Sequence, residues 1–300
     1  MPDRVVVIYT NQLSAKARRY RQRYDDFFRA QGNRVVQLAS TADRAVDHEQ
    51  LLTLLSTAHE CVAIGGDGTV NIAVNALLAS QRSAAVSLTV IGVGTGNDFA
   101  RDHGLQHWRW RLEQPVPNCR WEALGLVQTP QGSRYFVNHV GTGLSVDVMK
   151  LQPRWMKYQL GALSYFVALL RYLFGPRANR SRIPRQSSWD QGQFVALGRY
   201  LGGGFCVHPT ADRTHASLRG IFIPELSRWQ LFKALRCVLQ GRLEQAEAIE
   251  LQHAADGAHI TIGAAGALLE LDGDNYEQGP AQVTVVPQAI QVNYINQRRG

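Results

Sequence analysis

The amino-acid sequence predicts an α/β domain with a parallel sheet, followed by a carboxy-terminal antiparallel β-sandwich. The first third of the 300-residue chain alternates short apolar runs with helical stretches, a pattern typical of a parallel sheet covered on both faces. Beyond about residue 118 the chain changes to short strand-like runs, which favour an antiparallel sandwich. The length also favours two domains, because single cores stop growing beyond about 250–300 residues.

The elements of the first domain are predicted from apolar runs and from the residues at their ends. Ser14 is placed to cap a helix and Gly32 to end it, in keeping with the residues preferred at helix termini. The predicted strands lie at residues 5–9, 34–38, 61–64 and 87–93, and the predicted helices at 14–30, 45–58 and 70–80.

The second domain is predicted from short apolar runs that two helical stretches interrupt. The helical stretches lie near residues 158–174 and 228–240. The predicted strands lie at 121–127, 135–140, 193–197, 217–223, 258–262, 267–271 and 282–286.

Charge, cysteine content and apolar windows narrow the functional class. Lysine and arginine number 32 against 24 acidic residues, and the net charge of +8 suits anionic partners. No run of five or more basic residues occurs, so we expect no nucleic-acid partner. The four cysteines form no CxxC pair, so neither zinc nor thioredoxin chemistry is indicated. Cys61 and Cys237 lie in apolar runs and are predicted to be core thiols, which fits a reducing compartment. The most apolar window, 160–174, is interrupted by Arg171 and is too short to span a bilayer. We therefore expect a cytoplasmic protein that lies at most peripherally on a membrane.

The strongest functional signal is a glycine-rich loop between the third strand and the third helix. Gly65, Gly66 and Gly68 allow the backbone to approach a phosphate, and Thr69 completes the motif. The start of the helix adds N–H groups and the positive end of the helix dipole. Asp67 is interpreted as a metal or water ligand, or as an orienting group, because a carboxylate repels phosphate. The motif predicts a phosphate site, and a tight strand-to-helix turn is the alternative.

A second glycine-rich loop follows the next strand and carries Gly94, Thr95, Asn97 and Asp98. Both loops leave the carboxyl edge of the predicted sheet, which is where open α/β sheets bind ligands. Asn97 replaces the third glycine of the dinucleotide fingerprint, and no Walker A motif occurs. The pattern therefore predicts neither a Rossmann site nor a P-loop.

Together the two loops resemble the motifs of the diacylglycerol kinase and sphingosine kinase-like family of lipid kinases. The family's GGDGTxNE corresponds to residues 65–71 followed by Ile72, and its PxGTxNDFAR to residues 92–101 with glycine in place of proline. Three weaker similarities follow the family order along the chain: NPxSG at 11–15, GGGF with a later proline and alanine at 202–211, and DGE at 272–274.

The resemblance implies two domains with different functions. Residues 1–118 would form the nucleotide-binding domain, to which residues 288–300 return, and residues 119–287 would form the lipid-substrate domain. The active site would lie in the cleft between them. The implied reaction is transfer of the γ-phosphate of ATP, bound together with Mg²⁺, to the hydroxyl of a lipid substrate.

The resemblance also assigns roles to individual residues. Gly94, Thr95 and Asn97 would join the first loop in holding the phosphates. Asp67 and Asp98 would orient the metal, the water and the acceptor, and Asp274 would take the proton from the lipid hydroxyl. The residues placed around the nucleotide are Asn11, Ser14, Thr41 and Asn71.

Two differences from the family pattern fall at positions with a proposed role in catalysis or metal binding. Asp274 stands where the family carries glutamate, and a misplacement of about 1 Å can lower a rate roughly a hundredfold. A hairpin turn is the alternative interpretation of residues 272–274. Of the family's acidic segment, only Asp212 remains acidic, followed by Arg213. Because a hard cation prefers oxygen ligands, we expect no metal site built by the protein.

Two further functions stay open at this level. A degenerate family member could bind nucleotide or lipid with little turnover, and an NAD kinase shares the GGDGT loop. The sequence identifies neither the lipid nor the oligomeric state. Basic and aromatic residues interleave between 154 and 185, among them Arg177, Arg180 and Arg182. This segment is the predicted contact with an anionic membrane surface.

Overall fold

The computed structural model describes residues 4–41, 43–161, 163–176, 181–185, 189–255, 257–273 and 275–295. The chain divides into two compact units, of which the first holds Met1–Ala123 and Gln288–Gly300 and the second holds Leu124–Pro287. The helices are α1 (Ala15–Ala30), α2 (Arg44–Leu55), α3 (Asp67–Ala79), α4 (Asp98–Asp102), α5 (Leu144–Lys150), α6 (Arg154–Leu160), α7 (Leu163–Phe174) and α8 (Arg228–Leu239). The strands are β1 (Val5–Thr10), β2 (Arg34–Ala39), β3 (Glu60–Gly65), β4 (Ser87–Gly92), β5 (Asn118–Thr129), β6 (Gly132–Phe136), β7 (His139–Gly143), β8 (Ile183–Pro184), β9 (Trp189–Ala196), β10 (Tyr200–Leu201), β11 (Phe205–Cys206), β12 (Leu218–Pro224), β13 (Glu250–Ala254), β14 (Ile260–Ile262), β15 (Leu268–Leu271), β16 (Asn275–Gln278) and β17 (Ala281–Tyr294).

The first unit is built on a parallel sheet with the strand order β2-β1-β3-β4. The chain moves outward from β1 to β2 and then returns past β1 to β3, so the strand order reverses between β1 and β3. In open α/β sheets, the carboxyl ends of the strands at such a reversal form the usual ligand crevice. The last part of β17 adds a further parallel strand beside β4, with Gln291 opposite Ser87.

The predicted helix start at Ser14 is confirmed, since its hydroxyl accepts a hydrogen bond from the N–H of Ala17 at 3.2 Å. α3, by contrast, begins at Asp67, three residues before its predicted start at Val70. The glycine-rich loop is therefore partly the first turn of the helix, and the low helix propensity of Gly68 concealed this from a pattern-based prediction.

A buried polar network ties the returning strand to the first unit at the end of the sheet opposite the glycine loops. The carboxylate of Glu60 accepts two hydrogen bonds from the guanidinium of Arg111, both at 3.0 Å. Thr89 donates to the same carboxylate at 2.7 Å, and the amide of Asn293 donates to Thr89 at 2.8 Å. Glu60 and Arg111 are each about 1% exposed, and among the described residues the only other ion pair of Glu60 is with the half-exposed Arg4 at 3.7 Å. Removing Arg111 would therefore leave the buried charge of Glu60 poorly compensated.

The second unit is dominated by an antiparallel sheet with the strand order β13-β12-β9-β7-β15-β16. β5 and β6 pair antiparallel, β5 lies beside β17 in the strand order, and β14 pairs with the first part of β17. Helices α7 and α8 contribute buried apolar side chains to a core that β9 and β12 also supply. The predicted class of an α/β domain followed by an antiparallel β-sandwich is confirmed, and several elements of the second unit differ from the prediction.

The strand expected at 135–140 is two strands, β6 and β7, because the N–H groups of Val137, Asn138 and His139 donate to the carboxylate of Asp272. The helix expected at 158–174 is also two, α6 and α7, separated at Gly161, which has a φ of +53°. The elements of the second unit that were not predicted are α5, β8, β10, β11, β13 and β16. Among the described residues, no helix is long and apolar enough to cross a membrane.

Candidate functional site

The two glycine-rich loops touch each other through their backbones at the carboxyl edge of β3 and β4. Gly65 and Gly92 are paired at the ends of these strands, and the N–H of Val93 donates to the carbonyl of Gly65 at 2.9 Å. A Cβ atom built on Gly94 would lie 2.3 Å from the Cα of Gly66, closer than any real contact. Glycine is therefore needed at this point because no side chain fits between the loops.

Asp67 joins the first loop to the second. Its carboxylate accepts hydrogen bonds from the N–H of Asp98 at 3.1 Å and from the N–H of Phe99 at 3.0 Å. These N–H groups belong to the first turn of α4, where a carboxylate also interacts favourably with the helix dipole. Asp67 thus orients the second loop, a structural role that the sequence analysis had not specified.

Asn97 closes the second loop on itself. Its side chain accepts from the N–H of Gly94 at 2.7 Å and donates to the carbonyl of Gly94 at 2.8 Å. Its φ of +53° lies in the left-handed region, which asparagine tolerates better than most residues. This conformation explains why asparagine can stand where the dinucleotide fingerprint has glycine.

The start of α3 is suited to an anion. Gly66 precedes the helix in an extended conformation and offers no side-chain cap, so the first turn lacks the usual hydroxyl or carboxylate acceptor from its own N-cap. A phosphate satisfies such N–H groups and interacts favourably with the helix dipole. Thr69, inside this turn, is buried, whereas Thr95 in the second loop is partly exposed. Asp98 is buried, and its carboxylate lies 3.9 Å from the guanidinium of Arg101.

The loop after β1 reaches the same edge of the sheet. The N–H of Asn11 donates to the carbonyl of Ile64 at 3.0 Å, directly before the first glycine loop. The side chain of Asn11 accepts from the N–H of Leu13 at 3.0 Å, and Ser14 caps α1. The structure therefore brings Asn11 and Ser14 to the edge where the glycine loops lie, with their side chains bonded to their own loop.

Thr41 and Asn71 are held by neighbours within the first unit. The N–H and the hydroxyl of Thr41 both donate to Asp47, at 2.7 and 2.8 Å, and Tyr9 donates to the same carboxylate at 2.9 Å. Burial, with a contribution from Asp47, raises the pKa of Tyr9. Asn71 is buried and accepts from the guanidinium of Arg44 at 3.3 Å. The sequence analysis missed Arg44, because a lone arginine at a helix start carries no motif.

In the second unit, Asp272 fixes the turn of the DGD motif. Its carboxylate accepts three backbone hydrogen bonds, from Val137 at 2.8 Å, Asn138 at 2.7 Å and His139 at 3.1 Å. Its φ is +50°, so the turn is tightly specified. Asp274, the predicted base, lies outside the described residues, and its role stays a prediction.

Four buried polar side chains surround this turn. Glu270 accepts from the N–H of Gly273 at 2.9 Å, and its other oxygen lies 2.9 Å from Nε2 of His139. Arg213 donates to the carbonyl of Val137 and to the side chain of Asn138. The guanidinium of Arg213, which the resemblance places at an acidic position of the family, thereby holds the β6–β7 junction. Within the described ranges, no group of three or more His, Cys, Asp or Glu side chains could hold a metal ion.

The triple-glycine loop lies beside the same turn. Gly202, Gly203 and Gly204 have φ values of +64°, +88° and +114°, which only glycine adopts in succession without strain. A Cβ built on Gly202 would lie 3.8 Å from the ring of Tyr165, and one built on Gly273 would lie 3.5 Å from the hydroxyl of Tyr165. Tyr165 of α7 therefore lies between the triple-glycine loop and the DGD turn.

The second unit also contains an entirely apolar cavity of about 120 Å³. It lies among side chains of α5, α7 and α8 on one side and of β9 and β12 on the other. Apolar walls of this kind suit an apolar ligand. The residues around it are Leu144, Leu169, Leu173, Phe194, Leu201, Phe205, Val207, Ile221, Ile223, Leu231, Ala234, Leu235, Val238, Leu243 and Ile249.

Comparison with known protein families assigns both parts of the chain. Residues 4–119 match the diacylglycerol kinase catalytic domain, and residues 138–294 match the YegS C-terminal NAD kinase beta sandwich-like domain. The chain belongs to the diacylglycerol kinase-like family of lipid kinases. The family suggested by the two loops is thereby confirmed.

Individual relatives agree with this assignment. The chain is 26% identical over 237 residues to the diacylglycerol kinase of Mycobacterium tuberculosis, covering 76% of this chain and 74% of the relative. It is 27% identical over 254 residues to a protein of Xanthomonas oryzae pv. oryzae named "Probable lipid kinase YegS-like", covering 79% of each. A solved diacylglycerol kinase from Bacillus anthracis str. Sterne has the same fold, with a TM-score of 0.70 over 98% of both chains at 15% identity.

Proposed function

We propose that this protein transfers the γ-phosphate of ATP to the hydroxyl of a diacylglycerol-like lipid. The observation that carries the proposal is the backbone contact between the two glycine loops, with Asp67 bonded across it. This contact places the start of α3, which has no side-chain cap, beside a second loop rich in small residues. Membership of a lipid kinase family supports the choice of acceptor.

The chain's own groups account for phosphate binding. Phosphoryl transfer needs positioning and charge stabilisation more than covalent chemistry. In the proposed scheme, the N–H groups at the start of α3 bind phosphate oxygens, and Thr95 adds a hydroxyl from the second loop. Asp67 holds the second loop in place by accepting two hydrogen bonds from the first turn of α4. Asp274 would take the proton from the attacking hydroxyl.

The acidic side chains at the loops fit a magnesium ion that arrives with ATP rather than a cage built by the protein. Mg²⁺ keeps several waters and is held by one or two carboxylates together with substrate phosphates. Asp67 is partly exposed and Asp98 is buried, so Asp67 is the carboxylate that would hold the ion. When bound, the ion would neutralise charge on the transferring phosphate.

The apolar cavity supports a substrate with an acyl chain. Its walls are aliphatic and aromatic throughout, and burying apolar surface there would stabilise a bound chain by about 25 cal/mol per Å². A water-soluble acceptor such as NAD offers no group that would benefit from such walls. The cavity therefore favours the lipid acceptor over the NAD kinase alternative.

The proposal is tested by transfer of labelled phosphate to diacylglycerols of different chain length, with NAD as a parallel acceptor. Ala234→Phe would fill the cavity, and we expect it to lower turnover of long-chain lipid while sparing a short-chain lipid. Ala30→Phe, on the exposed end of α1, is the matched control. Label in NADP would assign an NAD kinase, and ATP binding without any labelled acceptor would assign a member that has lost turnover.

A further inference from the structure

Helix α8 presents two chemically different faces. Its inner face is formed by Leu231, Ala234, Leu235 and Val238, which line the apolar cavity. Its outer face carries three large apolar side chains that the fold leaves exposed: Trp229 is 64% exposed, Phe232 42% and Leu239 56%. Packing of the second unit therefore explains the inner face and does not explain the outer one.

The charged side chains on the outer face are all basic. Arg228, Lys233 and Arg236 are exposed, and residues 228–239 contain no aspartate or glutamate. The rings of Trp229 and Phe232 stack with centroids 5.7 Å apart, and the ammonium of Lys233 lies 5.7 Å from the centroid of Trp229. Aromatic rings and cations side by side suit the boundary between lipid and water, where rings sit at headgroup level and cations meet phosphate.

The end of α7 extends this surface. The guanidinium of Arg228 donates to the carbonyl of Gly175 at 2.9 Å, which brings the end of α7 next to the start of α8. Phe174, the residue before Gly175, is 68% exposed. We define the α8 surface as this set of four apolar and three basic side chains: Phe174, Trp229, Phe232, Leu239, Arg228, Lys233 and Arg236.

We propose that the α8 surface docks on the surface of an anionic phospholipid bilayer. The inference rests on the proposed lipid-kinase function, because a diacylglycerol-like acceptor resides in a bilayer. Charge decides between a bilayer and a second copy of the chain as the occupant. A symmetric dimer through this surface would bring six basic side chains together without an acidic partner on α8, and like charges across an interface are unfavourable.

The α8 surface shares only Phe174 with the segment at 154–185 that the sequence predicted for membrane contact. Arg182 pairs with Glu225 at 2.8 Å, and Arg185 pairs with Glu250 at 2.8 Å. Arg177 and Arg180 lie outside the described residues, so that contact stays a prediction. The basic side chains of α8, in contrast, share their helix with aromatic residues and with no acid.

Vesicle sedimentation without ATP or substrate tests the proposal, using vesicles of phosphatidylcholine alone or mixed with phosphatidylglycerol. We expect binding to require phosphatidylglycerol and to weaken with added salt. Lys233→Gln with Arg236→Gln should weaken binding at least tenfold, since each basic residue near an anionic surface contributes roughly a fivefold gain. Trp229→Ser with Phe232→Ser should also weaken it at least tenfold. Trp121→Ser, which removes an exposed tryptophan of the first unit, is the matched control and should bind normally.

Binding that is equal for both vesicle types, or unchanged in both α8 variants, would overturn the proposal. The proposal would also be overturned if the protein does not bind vesicles and instead forms a dimer that Trp229→Ser with Phe232→Ser dissociates. Turnover of a short-chain diacylglycerol in solution separates this failure from failure of the proposed function. If that lipid is phosphorylated but the α8 variants bind vesicles as the wild type does, the proposed docking surface is wrong and the proposed kinase function is retained. If no lipid is phosphorylated but the α8 variants bind vesicles more weakly, the proposed kinase function is wrong and the docking surface is retained.

Discussion

Replacing Gly94 by alanine should separate the two glycine loops and lower catalytic efficiency with ATP. The added Cβ would lie 2.3 Å from the Cα of Gly66 and 3.0 Å from its nitrogen, and both are backbone atoms that no rotamer change can move. Carbon atoms in contact prefer about 3.5 Å, so the loops must part by roughly 1 Å. A misplacement of this size lowers a rate by about a hundredfold, and the overpacking costs about 1–3 kcal/mol of stability.

The assay compares kcat/KM for ATP, ATP affinity and the free energy of unfolding in the variant and in a matched control. Gly32→Ala is that control, because Gly32 has a φ of +79° with nothing within 4 Å of the added Cβ. It should lose about 1–2 kcal/mol from the left-handed backbone and keep normal ATP affinity and turnover. A folded Gly94→Ala protein with unchanged ATP affinity and turnover would refute the argument that the loop contact forms the phosphate site.

Three other substitutions test separate parts of the account. Asp67→Ala should abolish turnover. It should also lower the melting temperature, because the first turn of α4 loses two hydrogen bonds worth about 1 kcal/mol or more. Full activity in a folded variant would contradict the role of Asp67. Asp274→Asn should remove turnover but spare ATP binding, and Asp274→Glu should keep or raise turnover; normal turnover of Asp274→Asn would place the base elsewhere. Arg111→Met should lower the free energy of unfolding, measured in urea, by about 3 kcal/mol, because within the described part of the chain Glu60 would keep only the half-exposed Arg4 at 3.7 Å as an ion-pair partner. A loss below about 1 kcal/mol would show that the network is dispensable.

Local sequence signals were sufficient for the parallel sheet of the first unit and for the position of the two glycine loops. Alternating apolar runs and helices specify a parallel sheet, and the cap at Ser14 follows from its hydroxyl. The contact between the loops also follows from topology, because both loops leave the same edge of adjacent parallel strands. The family resemblance rested on these loops, and the family comparison confirmed it.

Long-range contacts explain what the sequence could not predict. Nothing local indicates that Asp67 bonds to residues 98 and 99, or that Asp272 interrupts a strand some 135 positions earlier in the chain. Arg44 and Glu270 carry no motif, and their partners come from other elements. The outer face of α8 escaped notice for a related reason, because exposure is decided by how the inner face packs.

Transfer of labelled γ-phosphate from ATP to a lipid, measured together with ATP affinity, tests the central claim most directly. The account predicts magnesium-dependent label in the lipid extract of a diacylglycerol panel for the wild-type protein. It also predicts loss of label and weaker ATP binding in Gly94→Ala, with both retained in Gly32→Ala. ATP binding without label in any lipid, or equal ATP binding and label in Gly94→Ala, would contradict it.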